Sequence, residues 1–231
     1  AFCYANNYMF KHIEVKDGLS SNQINSIFKD KSGYMWFSTA SGLNRYDGKT
    51  VKVFRSSTAE NGPLADNYVE QVQEDADGNL WINTLKGYSV YNPLTETFSR
   101  NTRDWMINYG ISGEPEQIYI ASNNDMWIYI KGKAIYLLKP ETKLVYSAEL
   151  GVGSIPKDNV MDMVEGQNEL LVVYGNGTIV SLNKSDASFR WIDDKIAKAE
   201  GKGKYADFSL FVDNKNNAWI YGPLGLWVYN L

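Results

Sequence analysis

The amino-acid sequence predicts an all-β protein, a β-propeller made of four-stranded antiparallel blades in about five repeats. The first observation behind this prediction is a motif that recurs five times along the 231-residue chain, centred on a Trp in four copies and on Leu171 in the fourth copy, which has lost its Trp. The second is the composition, because 14% aromatic residues together with 19 Gly favour short strands and tight turns over long helices. A chain of this length can bury a large core, so the repeats can stack on one another.

The repeat consists of an Asp and a Gly that precede a Trp, a second Gly about six residues after it, and a closing Tyr. The anchor residues are Trp36, Trp81, Trp127, Leu171 and Trp219, which are separated by 45, 46, 44 and 48 residues. This spacing matches the roughly 40–50 residues of a propeller blade. The Asp and Gly suit tight turns, and we expect the Trp ring to fill the wedge between neighbouring blades.

Each of the first four copies contains four strand-like segments. In the first copy they are residues 24–30, 34–39, 43–47 and 50–56, with turns at Gly33, Gly42 and Gly48. A single sheet of this kind has two apolar faces, so the copies must stack, and radial stacking of four-stranded sheets gives a propeller. The predicted blade cores lie near residues 24–56, 68–99, 116–147, 160–192 and 206–231.

The two ends of the chain bear on ring closure. The fifth copy stops after its third strand, at Leu231, and residues 8–15 form a strand-like segment ahead of the first copy. This segment could complete the last blade and close a five-bladed ring without open edges. Alternatively, the copies are part of a larger propeller, whose open blade edges would favour a homodimer. Residues 1–7 form an N-terminal tail that could be the remnant of a signal peptide.

Charge and hydropathy disfavour several classes of function. A formal net charge of −4 provides no broad cationic surface, so no nucleic acid is expected to bind. The clustered basic stretch, Lys195–Lys204, is interrupted by glycines and is expected to be a solvated loop. No apolar run approaches the roughly 18 residues of a membrane helix, so membrane attachment is expected only through segments outside this chain. Cys3, the single cysteine, cannot form an internal disulfide.

Propellers also carry enzymes, so a glycoside hydrolase or lyase is the enzymatic alternative. Glu70, Asp162 and Asp207 lie on or beside first strands, where carboxylates could point toward the axis of a glycosidase. They fall at different offsets from their anchor residues, which argues against a shared site. His12 is the single histidine, and no set of His, Cys and Asp has metal-ligand spacing. We therefore expect no catalytic residue, no cofactor and no metal in this chain.

Two segments of the first copy resemble a known repeat family. Asp-Gly-Leu-Ser-Ser-Asn at 17–22 and Asp-x-x-Gly-x-x-Trp-Phe-Ser-Thr-x-x-Gly-Leu-x-x-Tyr at 30–46 are similar to the two-component regulator propeller repeat. In that family the repeats build the periplasmic sensor region of Bacteroides-type hybrid two-component systems, many of which respond to glycan fragments. The resemblance implies a non-catalytic, periplasmic sensor or ligand-binding domain, the N-terminal part of a regulator whose kinase lies outside this chain. A pure dimerisation or assembly scaffold is the second non-enzymatic alternative.

Ligand-binding residues are expected on the turns between second and third strands and on the linkers between blades, since both open on the same face. The long linkers at 100–114 and 193–205 are expected to be loops. Aromatic rings beside Lys and Arg side chains that donate hydrogen bonds suit a carbohydrate, so the expected ligand is an oligosaccharide. The candidate residues are Lys86, Arg103, Trp105, Tyr109, Lys131, Tyr174, Tyr205 and Tyr221.

Overall fold

The computed structural model describes residues 11–58, 62–153, 155–200, 207–223 and 225–231. Sheet 1 contains β1 (Ile24–Lys29), β2 (Met35–Thr39), β3 (Gly42–Tyr46) and β4 (Val51–Phe54). Sheet 2 contains β5 (Val69–Glu74), β6 (Leu80–Thr84), β7 (Gly87–Asn92) and β8 (Thr97–Ser99). Sheet 3 contains β9 (Pro115–Ile120), β10 (Met126–Ile130), β11 (Ala134–Lys139) and β12 (Leu144–Glu149).

Sheet 4 contains β13 (Val160–Glu165), β14 (Glu169–Tyr174), β15 (Ile179–Asn183) and β16 (Phe189–Asp193). Sheet 5 contains three strands within the described residues: β17 (Ser209–Val212), β18 (Asn217–Gly222) and β19 (Gly225–Asn230). Neighbouring strands in every sheet are antiparallel and consecutive in the chain, so each repeat forms one meander. This arrangement confirms the predicted all-β, β-propeller fold class.

The chain divides into two compact units. The first unit comprises the residues up to Glu74 together with Gly78–Arg100, and it contains sheets 1 and 2. The second unit comprises Asp75–Asp77 and Asn101–Leu231, and it contains sheets 3, 4 and 5.

In the first unit, the repeated Trp lies between two sheets, as the sequence predicts. Trp36 on β2 is 1% exposed, and its ring centre lies 5.4 Å from that of Tyr91 on β7. The indole Nε1 of Trp36 donates a 2.7 Å hydrogen bond to Asp30 Oδ2, and Asp30 Oδ1 accepts another from the Tyr34 amide. The repeated Asp therefore fixes the β1–β2 turn and also satisfies the buried indole.

The Gly that follows the anchor residue turns β2 into β3. Gly42 has a φ of +136°, and a Cβ at this position would lie 2.6 Å from the carbonyl oxygen of Phe54. Glycine alone accepts both this dihedral angle and this close approach without strain. The turn residue is therefore dictated by backbone geometry.

In the second unit, buried side chains join the sheets in the same way. Trp127 and Tyr129 on β10, each 1% exposed, share one apolar cluster with Val172 on β14. A second cluster contains Phe208, which precedes β17, and Ile220 on β18, together with residues of sheet 4. Consecutive sheets of this unit therefore pack face to face through apolar side chains.

The prediction that the two long linkers are loops is wrong in part, because each linker contains a short helix. α1 (Thr102–Asn108) lies in the first linker, and α2 (Lys195–Glu200) lies in the basic stretch. Each helix buries an apolar side chain, since Met106 is 0% exposed and Ile196 is 1% exposed. The buried apolar side chain stabilises each helix against the rest of the fold. The composition of the linkers does not indicate these helices. Neither of these described helices is long and apolar enough to cross a membrane.

The predicted closing strand at 8–15 is not a strand where the structure describes it. Residues 11–14 have no strand pairing, and Val15–Asp17 form a 3-10 helix. The Glu14 amide donates to Asp17 Oδ2 at 3.0 Å, and the Val15 amide donates to Asn22 Oδ1 at 2.9 Å. Nearby side chains thus take the backbone donors that a neighbouring strand would need. Residues 8–10, and the tail at 1–7, lie outside the described residues.

Candidate ligand-binding site

A cavity of about 390 Å³ lies in the second unit beside α1. Two of the residues that line it, Trp105 and Tyr109, are predicted ligand-binding residues. Its lining is formed by Asp77, Trp105, Asn108, Tyr109, Leu138, Pro140 and Lys143. The cavity therefore combines aromatic rings, aliphatic side chains, an amide, a carboxylate and an ammonium group.

Local sequence fixes both ends of α1. Asn101 caps the N-terminus, where its Oδ1 accepts a hydrogen bond from the Asp104 amide at 3.3 Å. Beyond the C-terminus, the Ile111 amide donates to the Met106 carbonyl at 2.9 Å. Met106 and Ile111 are both almost fully buried, so they anchor the helix to the unit.

One face of α1 lines the cavity. Trp105, Asn108 and Tyr109 are spaced three and four residues apart, which places them side by side on a helix surface. Trp105 and Tyr109 are half-buried, so each ring keeps an accessible portion. The helix therefore presents two aromatic rings and one amide to the same space.

Burial is the largest cause that raises the pKa of Tyr109 above its usual value, and the negative charges of Asp75 and Asp77 raise it further. The hydroxyl therefore stays protonated near neutral pH and can donate a hydrogen bond. The cavity can thus bind a molecule that has both an apolar face and polar groups. The aromatic rings can contact the apolar face, and the hydrogen-bond donors and acceptors of the lining can bind the polar groups.

The β11–β12 turn supplies another part of the lining. Leu138 is buried, and Pro140 and Lys143 follow it in the turn. Lys131, another predicted binding residue, lies in the β10–β11 turn at the other end of β11. Six residues of β-strand span roughly 20 Å, so Lys131 and the cavity are at opposite ends of sheet 3. The sequence predicts that the linkers and the turns between second and third strands open on the same face of the propeller. This prediction is wrong for Trp105 and Tyr109.

Three predicted basic residues form ion pairs. Lys86 Nζ lies 3.0 Å from Asp66 Oδ2 in the first unit. In the second unit, Lys131 Nζ lies 3.1 Å from Glu116 Oε1. Arg103 lies on α1 but is absent from the cavity lining, and its Nε is 3.9 Å from an oxygen of Glu114. The three side chains are exposed, so these pairs contribute little to stability.

Two other predicted tyrosines, Tyr174 and Tyr221, do not line the cavity. Tyr174 is 0% exposed, because all of β14 is buried, and it belongs to the core rather than to an accessible surface. Burial first, and then the nearby Tyr129 and Asp158, raise the pKa of Tyr174. Tyr221 is 66% exposed on sheet 5. Tyr205 lies outside the described residues.

Five of the lining residues are not among those predicted from the sequence. Three of them belong to turns between first and second strands or between third and fourth strands, whereas the predicted site lies on linkers and on turns between second and third strands. Asn108 was detectable, because it follows Trp105 by three residues, but only if the linker had been recognised as a helix. The missed residues are Asp77, Asn108, Leu138, Pro140 and Lys143.

The carboxylates considered for catalysis have separate surroundings. Glu70 Oε2 is exposed and accepts a hydrogen bond from Asn83 Nδ2 at 2.9 Å. Asp162 accepts from the amides of Leu210 at 2.7 Å and Met163 at 2.8 Å, and burial raises its pKa. Asp162 therefore joins β13 to β17 as a structural residue. Asp207 is exposed, and none of these three lines the cavity.

Within the part of the chain that the structure describes, no group of three or more His, Cys, Asp and Glu residues could hold a metal ion.

Comparison with known proteins finds similarity to part of a histidine kinase and to two extracellular domains of solved structure. A histidine kinase, P4 of Formosa agariphila, is 36% identical over 59 residues, which are 26% of this chain and 4% of that protein. The extracellular domain of a putative hybrid two component system from B. thetaiotaomicron has a TM-score of 0.67 and 23% identity. The alignment covers 95% of this chain and 30% of that chain.

A second extracellular domain from B. thetaiotaomicron, of a putative one component system, has a TM-score of 0.56 and 18% identity. It matches 92% of this chain and 34% of its own. These likenesses establish a shared fold, and this chain spans a small part of the relatives it matches. The family model described as two component regulator propeller matches residues 18–41 and 63–86. These two segments therefore match the two-component regulator propeller repeat, as the sequence motifs predict.

Proposed function

We propose that this chain is a non-catalytic, extracytoplasmic ligand-binding propeller that detects a glycan fragment in the periplasm, as part of a two-component sensor. The observation that carries the proposal is the α1 cavity, where the rings of Trp105 and Tyr109 stand beside the Asn108 amide. Its volume of about 390 Å³ falls within the range of small-molecule sites, roughly 300–1,000 Å³. The repeat family and the regulators among the relatives support a sensing role.

The chemistry of the cavity fits a sugar ring. A pyranose has an apolar face of C–H groups, which can lie on an indole, and hydroxyl groups around its edge. The Asn108 amide, the protonated Tyr109 hydroxyl and the Asp77 carboxylate can exchange hydrogen bonds with such hydroxyls. Leu138 and Pro140 provide apolar contacts nearby.

The charges of the cavity favour a neutral glycan over a polyanion. Lys143 brings one positive charge and Asp77 one negative charge, and they are the charged members of the lining described by the structure. Hydrolysis of a glycosidic bond ordinarily requires two carboxyl groups about 5–10 Å apart. Asp77 is the one carboxylate among the described lining residues, which supports binding without turnover.

The test is a binding screen of the chain against neutral and uronic-acid oligosaccharides by thermal shift, followed by calorimetry. A ligand of the folded state raises the melting temperature. We expect neutral oligosaccharides to bind, without turnover, and Trp105→Ala to weaken binding by about tenfold, since an aromatic contact contributes up to about 1.5 kcal/mol. Arg103→Ala is the matched control, because it alters an exposed residue of α1 outside the cavity lining, and it should retain full affinity.

Two results would contradict the proposal. If no oligosaccharide changes the melting temperature, the ligand is not a glycan. If Trp105→Ala binds as tightly as the unaltered chain, the ligand binds elsewhere.

A further inference from the structure

The α1 cavity contains two opposite charges that do not pair with each other. Asp77 lines it from the β5–β6 turn, and Lys143 lines it from the β11–β12 turn. Within the part of the chain that the structure describes, neither side chain forms a hydrogen bond or an ion pair. Asn108, whose amide belongs to the same lining, also has no side-chain partner among these residues. All three side chains are therefore available to a ligand.

The neighbouring lysines of sheet 3 differ from Lys143 in this respect. Lys139 Nζ, at the end of β11, lies 2.8 Å from Asp125 Oδ2. Lys133, just ahead of the same strand, donates a hydrogen bond to the Ser112 carbonyl at 3.1 Å. The protein itself occupies these two ammonium groups, whereas it leaves that of Lys143 to the cavity.

The two charged groups of the cavity set opposite requirements on a ligand. The Asp77 carboxylate accepts hydrogen bonds, and the Lys143 ammonium group donates them. A ligand that satisfies both must therefore donate on one side and accept on another. A secondary amide does so with one planar group, because its trans geometry directs the N–H and the C=O to opposite sides. Hydrogen bonds to charged groups are roughly twice as strong as those between neutral groups, so this pairing can discriminate between ligands.

The rest of the lining suits a sugar that carries such an amide. Trp105 and Tyr109 offer aromatic rings to the apolar face of a pyranose. Leu138 and Pro140 belong to the same strand and turn as Lys143, and both are apolar. They can therefore contact the methyl group of an acetamido substituent whose carbonyl oxygen accepts from Lys143.

The two opposite charges also disfavour sugars that are themselves charged. A free amino sugar would be attracted to Asp77 and to the aromatic rings, but Lys143 would repel it. A uronic acid would be attracted to Lys143, but Asp77 would repel it. An acetamido group is neutral, so neither charge of the cavity repels it.

We propose that the α1 cavity recognises the acetamido group of an N-acetylated hexosamine. The Asp77 carboxylate accepts from the N–H of this group, and the Lys143 ammonium group donates to its carbonyl oxygen. This inference rests on the proposed function, because it names the class of glycan that the same cavity binds.

The test is calorimetry of the full chain with three disaccharides that differ only in the substituent on the second carbon of each ring. Cellobiose carries a hydroxyl there, chitobiose a free amine and N,N′-diacetylchitobiose an acetamido group. Galactose and N-acetylgalactosamine repeat the comparison for the other common epimer. We expect the acetylated ligand of at least one epimer to bind about tenfold or more tightly than its hydroxyl counterpart, because it alone forms both charged hydrogen bonds.

Two variants connect this preference to the cavity. Asp77→Ala and Lys143→Met should each lower the affinity for the acetylated ligand about tenfold more than the affinity for its hydroxyl counterpart, since each removes one partner of the amide. Glu141→Ala is the matched control, because it removes an exposed charge from the same β11–β12 turn without altering the lining. This variant should keep the full preference.

Three results would overturn the inference. If the hydroxyl ligands bind as tightly as the acetylated ones in both epimers, the cavity does not read an acetamido group, although the proposed glycan site stands. If chitobiose binds most tightly, the cavity selects a cation instead. If the preference survives both Asp77→Ala and Lys143→Met, the acetamido group binds elsewhere. The proposed function itself fails only when no oligosaccharide of the wider screen binds.

Discussion

Replacing Glu165 by Gln should destabilise the second unit, because this carboxylate joins sheet 3 to sheet 4. Glu165 Oε2 accepts a 2.8 Å hydrogen bond from the Ser122 amide, and Oε1 accepts one from Ser122 Oγ at 2.8 Å. Lys184 Nζ also donates to Glu165 Oε1. The Glu165 side chain is 14% exposed and that of Lys184 is 21% exposed, so solvent screens this network weakly.

The magnitude follows from the interactions that are lost. A hydrogen bond to a charged group contributes about 1.5–3 kcal/mol, and removing one partner of a buried ion pair costs about 3–5 kcal/mol. Lys184 keeps a second acceptor, the Gly166 carbonyl at 3.4 Å, and it is partly exposed. We therefore expect Glu165→Gln to lower the free energy of unfolding by about 2–4 kcal/mol at neutral pH.

The same carboxylate predicts a pH dependence. Burial raises the pKa of Glu165, but the hydrogen bonds from Lys184 and Ser122 lower it more, so its pKa lies below the usual value. A carboxyl group whose pKa is depressed by folding stabilises the protein above its unfolded pKa of about 4.3. This stabilisation is lost as the pH falls through the folded-state pKa. The difference between the unaltered chain and Glu165→Gln should therefore shrink in acid.

Urea unfolding at neutral pH and at about pH 3 measures both effects. Glu116→Gln is the control, because Glu116 forms an exposed pair with Lys131, and its loss should change stability by less than about 0.5 kcal/mol. The reasoning would be refuted if Glu165→Gln were no more destabilising than this control. A difference that grows in acid would refute the pH argument.

Three further substitutions test the fold and the site. Met106→Ala should cost about 2–5 kcal/mol in urea unfolding and should weaken oligosaccharide binding in calorimetry, because Met106 is 0% exposed and anchors α1. Tyr174→Phe should keep the free energy of unfolding within about 0.5 kcal/mol, because its hydroxyl has no hydrogen-bond partner among the described residues; thermal unfolding measures this. Gly42→Ala should lower stability by about 1–3 kcal/mol in the same assay, because its φ is +136° and the added Cβ would meet the Phe54 carbonyl.

Each of these substitutions has an outcome that would contradict its argument. Full oligosaccharide affinity in Met106→Ala would show that α1 does not depend on its buried anchor. A loss of several kcal/mol in Tyr174→Phe would reveal a hydrogen bond to its hydroxyl. An unchanged melting temperature in Gly42→Ala would mean that the β2–β3 turn tolerates a side chain.

The repeat determined much of the fold from sequence alone. The five sheets begin at residues 24, 69, 115, 160 and 209, so one sheet begins every 45 to 49 residues. The signals that specify each sheet are local: Gly42 is required by a dihedral angle, and Asp30 bonds to groups only four and six residues away. Short strands and tight turns depend mainly on neighbours in the chain.

Only the tertiary structure decided which residues share a surface. The cavity joins Asp77 to Lys143, which are far apart in sequence, and no repeat pattern relates them. Packing also decided that Tyr174 is buried while Tyr221 is exposed, although both lie within the last two residues of a second strand. Strand alternation shows that a side chain points to one face of its sheet. Whether another sheet covers that face depends on contacts between distant segments, which local patterns do not specify.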